Sequence, residues 1–119
     1  MGLFDIPPVE EQVDSALVAV FREIWKEREH RSEVSGTPLE YNFNPGMFFV
    51  FSHLRSRGSC PSLALEKDNI WLMTLSEHTY WEHHKEDIRA RVAKGQILHW
   101  KDCLKAYDRL KPICNQIKK

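Results

Sequence analysis

The chain lacks a long apolar run, a C-x-x-C pair and an excess of charge of either sign. A membrane-spanning helix needs about 18 or more consecutive apolar residues, so no transmembrane span is expected. Cys60, Cys103 and Cys114 are an odd number without paired spacing. That argues against a disulfide framework and against a cysteine zinc site, and predicts three reduced thiols. The N-terminus, MGLFDIPPVEEQVD, has no basic segment ahead of an apolar core and does not read as a secretory signal. Gly2 would open a myristoylation pattern, but Ile6 stands where Ser or Thr is required. These exclusions lead to a cytoplasmic expectation. Lys plus Arg and Asp plus Glu stand at 17 each, so strong nonspecific attraction to nucleic acid is not expected. A local basic patch is still compatible with that balance.

What is present is ordinary globular material. With 119 residues, 42% of them hydrophobic and 29% charged, the chain can bury the core of one domain and is not disordered. Pro7-Pro8 precedes acids at Glu10 and Glu11, where a helix start favours them. Val13, Leu17, Val20, Phe21 and Ile24 then recur at helical spacing, predicting a helix over 9–28. Residues 29–47 are rich in turn formers, which predicts a loop with a short strand pair around Leu39–Phe43. Met47 to Phe51 reads as a strand after Asn44-Pro45-Gly46, and Ile70 to Leu75 reads as a second. Ser76 is the expected N-cap of a helix over 77–94 that stops at Gly95. Trp100, Leu104, Tyr107 and Leu110 predict a last helix within 97–119, kinked or ended by Pro112. The fold class is therefore α+β in a single domain, 1–119.

The chemistry concentrates between Phe48 and His84. His53 ends an apolar run, Asn69 opens the next, and His78 falls early in the helix, with fifteen and then eight residues between them. His78 and Glu82 are four apart, so both project from one helix face. Such a pair can grip one divalent cation, while a separate histidine on a strand takes a proton from a water aimed at phosphorus. Arg55 and Arg57, on the basic glycine loop between the runs, are candidates for holding backbone phosphates.

This series resembles the HNH nucleases and their ββα-metal core, and in particular small phage-type HNH proteins. Those carry a W-x-x-R-x-H lead-in, a CxxCG knuckle, a strand ending in His, an RG loop, an N-I turn and an H-x-x-W-[DE] helix start. The counterparts here are Trp25, Arg28 and His30, then Ser32 to Gly36, His53, Arg57-Gly58, Leu65 with Asn69-Ile70, and His78 with Trp81-Glu82. The likeness spans roughly residues 20–84.

The resemblance implies a ββα core over 47–94 flanked by N-terminal and C-terminal helices, in a metal-dependent endonuclease hydrolysing DNA in a phage or mobile-element setting. His53 would be the general base, and Asn69 would hold the loop that carries it. His78 and Glu82 would bind Mg, Mn, Ni or Zn, with His83 in reserve, and the partner would be duplex or branched DNA. Two departures stand out. Ser52 occupies the place before the base histidine where many HNH enzymes have an Asp or His ligand. Ser32, Ser35, Thr74 and Glu77 occupy the knuckle cysteine positions, so packing of Trp25, Phe48, Trp71 and Trp81 is expected to replace the zinc staple. A non-cutting HNH-like binding module is the alternative reading, and a helical interaction protein without paired strands is the other.

Overall fold

Leu17, Phe21, Ile24 and Trp25 all fall on one face of helix α1 (Ser15–Glu27), where they are buried. The computed structural model describes residues 15–42 and 44–117, so the part of this helix expected over 9–14 lies outside the described residues. The buried stripe packs on Tyr41, Val50, Phe51, Ile70 and Leu72, and Phe21 stacks on Phe51 with ring centroids 4.3 Å apart.

The two strands are shorter than expected. Residues Pro45–Val50 form a 3-10 turn, because the Asn44 side chain accepts from Gly46 N–H at 2.8 Å and Pro45 takes the first position. Extended backbone begins only at β1 (Phe51–His53), which pairs antiparallel with β2 (Ile70–Leu72), setting Phe51 opposite Leu72, Ser52 opposite Trp71 and His53 opposite Ile70. The strand pair expected near Leu39–Phe43 is replaced, among the described residues, by a single bridge of Arg31 to Pro38. That loop has another role. Glu33 N–H donates to the Leu72 carbonyl and the Glu33 carboxylate accepts from Leu72 N–H, each at 2.8 Å. The outer edge of β2 is thereby covered rather than left open for pairing.

Helix α2 (Leu75–His83) starts two residues earlier than expected. Thr74, not Ser76, is its N-cap, and Thr74 and Glu77 form a reciprocal capping box. The expected helix over 77–94 is divided at His84, whose backbone leaves the helical region, and continues as α3 (Lys85–Ala93). No proline or glycine marks that break. It lies between Trp81 and Ile88, which both enter the same core. Gly95, at φ +80°, follows α3 in the left-handed conformation that suits glycine. Helices α4 (Lys101–Arg109) and α5 (Lys111–Ile117) follow; the expected last helix is divided at Leu110, just ahead of Pro112, which sits in the first turn of α5.

These helices build a second core around Trp81, Ile88, Trp100, Leu104 and Leu110 on the far side of the hairpin from α1. Trp81 lies parallel to Trp100 at 5.9 Å and edge-on to Tyr107 at 5.2 Å, and its indole N–H donates to the Leu54 carbonyl. The result is an α+β arrangement of helices about a two-stranded sheet, and among the described residues no helix is long and apolar enough to cross a membrane.

The cysteines depart from expectation. Cys60 and Cys114 are joined in a disulfide and only Cys103 is free, buried with its thiol pushed up by burial. Spacing could not reveal the pair, because its members are 54 residues apart and meet only when α5 packs beside the loop after β1. A crosslink closing a loop of that length restricts the unfolded chain by about 4 kcal/mol. The Cys60→Ser/Cys114→Ser variant is therefore expected to melt well below the wild type, and reductant is expected to lower the wild type toward it. A calorimetric melt unmoved by either change would show that the crosslink contributes nothing.

Candidate functional site

A cleft of about 410 Å³ opens where the end of β1 and its loop approach α2 and the start of α3. Ser52, His53, Ser56, Arg57 and Gly58 line it from the first stretch, and His78, Glu82 and Lys85 from the second. Three of the four residues singled out for catalysis or metal binding, His53, His78 and Glu82, thus share one cavity.

Each histidine is oriented by a backbone carbonyl. His53 Nε2 lies 2.8 Å from the Ala64 carbonyl. A carbonyl only accepts, so Nε2 carries the hydrogen and Nδ1 is the basic nitrogen of the neutral ring. Burial holds the His53 imidazole below the ordinary histidine range; the Ala64 bond opposes this, and the charges of Arg57 and His78 add to it. His78 Nδ1 donates to the Phe49 carbonyl at 2.6 Å, which directs Nε2 to Glu82 Oε2 at 3.5 Å. Two lone-pair donors that face each other in this way are reconciled by a proton or a cation between them. Donors on one ion at about 2.0–2.2 Å each stand roughly 3.0–3.5 Å apart, so the pair fits a divalent cation with little movement. The carbonyl behind His78 is the kind of outer partner that orients a metal-binding imidazole. Among the described residues, no group of three or more His, Cys, Asp or Glu side chains converges on one point. A cation held by His78 and Glu82 would complete its shell with water and phosphate oxygens, as magnesium commonly does.

Asn69 does not enter the cleft. It is fully buried, its Oδ1 accepts from Arg55 N–H at 2.8 Å, and its Nδ2 donates to the carbonyls of Arg55 at 2.9 Å and Leu63 at 3.2 Å. The amide therefore ties both ends of the loop after His53. Arg28 secures Asn69 from the other side, donating to the carbonyls of Lys67 and Ile70 on either flank. His30 lies flat on Trp25 at 3.7 Å and bonds its carbonyl, so the lead-in residues brace the loop and take no part in the cleft.

Arg55 is placed differently from its expected role. Its guanidinium donates twice to the Tyr107 carbonyl, at 3.0 and 2.7 Å, and lies 3.6 Å over the Tyr107 ring. It is thus a strut between the loop and α4, while Arg57 remains in the cleft. His83 is exposed and does not line the cleft, one residue's rotation having turned it off the Glu82 face. Comparisons with family models, with curated proteins and with solved structures find no match. Lys85 escaped the sequence reading, because it lies beyond the helix break that turns it into the cavity.

Ser32, Ser35, Thr74 and Glu77, the positions where the resemblance would expect knuckle cysteines, come together as a hydrogen-bonded cluster. Ser32 Oγ donates to Glu77 Oε1 at 2.6 Å and itself accepts from the N–H groups of Val34 and Ser35. Glu77 also receives Thr74 N–H at 2.9 Å. Burial pushes the Glu77 carboxyl up, but the bonds from Ser32, Ser35 and Thr74 together outweigh it and leave it below the ordinary range. Aromatic packing is therefore joined by a polar latch between the 32–37 loop and α2.

Two outcomes follow for stability. Asn69→Ala leaves the N–H and carbonyl of Arg55 without partners, while the Leu63 carbonyl keeps its bond from Glu66 N–H; the loss is about 1–3 kcal/mol for each group deprived of its partner, measurable by urea unfolding. Glu77 carries a depressed folded-state value, so its contribution is complete above the ordinary 4.5 and fades as pH falls through the lowered value. The stability gap between wild type and Glu77→Gln should accordingly narrow on acidification below that point. A gap that is constant from neutral to strongly acidic pH would refute an ionised latch.

Proposed function

We propose that the protein is a metal-dependent endonuclease of the HNH type acting on DNA. The observation that supports this best is the shared cleft, in which an imidazole at a strand end faces a histidine and carboxylate paired on the adjoining helix. The meeting of Ser32, Thr74 and Glu77 adds support, since knuckle positions should be neighbours if the likeness holds.

His53 Nδ1 takes a proton from the attacking water, and its Nε2–H stays bonded to Ala64, which keeps the ring aimed. Asn69 and Arg28 hold the loop so that His53 and Arg57 keep their places. His78 and Glu82 would hold the divalent cation, which supplies positive charge to the phosphodiester and its leaving oxygen. Arg57 contributes a further cation at the cleft.

Purified protein is expected to nick plasmid DNA with Mg²⁺, Mn²⁺, Ni²⁺ or Zn²⁺ and to stop in EDTA. His53→Ala should lower the rate by about 10²–10⁴-fold with an unchanged circular dichroism spectrum, and His78→Ala should abolish the response to metal. Because the base must be neutral and burial lowers its value, the rate should rise with pH through a midpoint below the ordinary 6.5 and be level at neutrality. A wild type that cuts no DNA with any of these ions would sink the catalytic reading. Ser52, a hydroxyl where relatives of this type often carry a ligand, favours the second reading, a binding module that does not cut. That version would bind nucleic acid or a protein partner, and would show no binding of these metals that depends on His78.

A further inference from the structure

The cations of this chain that are held in its framework have partners. Lys67 meets Glu23 and Glu27, Arg28 meets Glu33, Arg89 meets Asp108, Arg91 meets Asp87, and Arg55 is spent on the Tyr107 carbonyl. Lys85 is different. It is half-buried at the first position of α3, with its ammonium 5.1 Å from the Trp81 ring centre and 5.9 Å from that of Tyr107. Among the described residues no carboxylate stands within ion-pair distance of it; Glu82 attracts it from farther away. Burial lowers its proton affinity, as expected of a cation removed from water without a counter-ion. That ammonium, resting against the aromatic rings, belongs to the wall of the cleft that Arg57, His53 and His78 also line. An anion entering the cleft would supply the close counter-charge that this ammonium lacks.

We propose that Lys85 is a phosphate-contacting residue, holding a nonbridging oxygen of the DNA backbone in this cleft, in the role first expected of Arg55. The inference rests on the nucleic-acid part of the reading above and not on cleavage. Neutralising one phosphate releases condensed counter-ions, so losing one contact flattens the dependence of log affinity on log salt by about 0.9 for duplex DNA.

The test is fluorescence anisotropy of the full chain with a short labelled DNA duplex across a KCl series in EDTA, for wild type, Lys85→Met, Lys85→Arg and Lys94→Met. Methionine retains an apolar stem against Trp81, so the Lys85→Met melting temperature should stay within a few degrees of wild type. Lys85→Met is expected to bind several-fold more weakly at about 0.1 M salt with a slope reduced by about 1, and Lys85→Arg to recover both. Exposed Lys94, at the far end of α3 and outside the cleft, should leave the slope unchanged. An unaltered slope in Lys85→Met, or an equal loss in Lys94→Met, overturns the assignment. A wild type that binds no DNA overturns it together with the nucleic-acid reading. DNA binding with the expected Lys85 effect but no cutting with any divalent cation removes only the hydrolytic reading and leaves this one standing.

Discussion

A single buried amide carries much of this structure. Strands of three residues each cannot by themselves define a loop as long as the one that joins them. Asn69, at the far end of that loop, closes it with its side chain, accepting from and donating to the Arg55 backbone at the near end and donating to the Leu63 carbonyl midway along it. In the interior such bonds face no competition from water, and each group left without its partner would carry a desolvation penalty. The geometry of the cleft follows from this closure. His53 is aimed by the Ala64 carbonyl on the same loop, and Arg57 is presented from its exposed part.

Around that amide the fold replaces what length cannot supply with a series of discrete ties. From the segment that follows α1, Arg28 reaches the carbonyls of Lys67 and Ile70 and Glu33 reaches Leu72, so the hairpin has a polar brace on its open edge. The Ser32, Thr74 and Glu77 cluster fastens the same loop to the start of α2. Arg55 and the Cys60–Cys114 disulfide fasten the cleft loop to α4 and α5. Contacts from both sides of the hairpin therefore bear on the site, and the stacked Trp81 and Trp100 fill the core on the side away from α1.

Sequence and structure agree where local rules and burial point the same way. The α1 stripe, the stop at Gly95 and the strand at Ile70 to Leu72 were legible in periodicity and turn residues. They diverge where a polar side chain overrides propensity. Asn44 caps a 3-10 turn in an apolar run that otherwise suits a strand, and Thr74 is preferred to Ser76 as a cap because Glu77 lies three residues after it and answers it. Arg55 and Arg57 are two apart and look alike as sequence. One is drawn into a strut by the Tyr107 carbonyl, an acceptor 52 residues away that no local pattern announces.

The order and spacing of His53, Asn69, His78 and Glu82 belong to the sequence alone, as does the common face of His78 and Glu82, because four residues is close to one helical turn. That Asn69 is interior while the other three share a cavity was decided by tertiary packing, which sets the hairpin between two cores and turns α3 away from α2 at His84. The same packing brought Lys85 into the cleft and joined Cys60 to Cys114. The physical reason is common to all of these: each depends on a partner distant along the chain, and a local pattern holds no record of which distant group will be near.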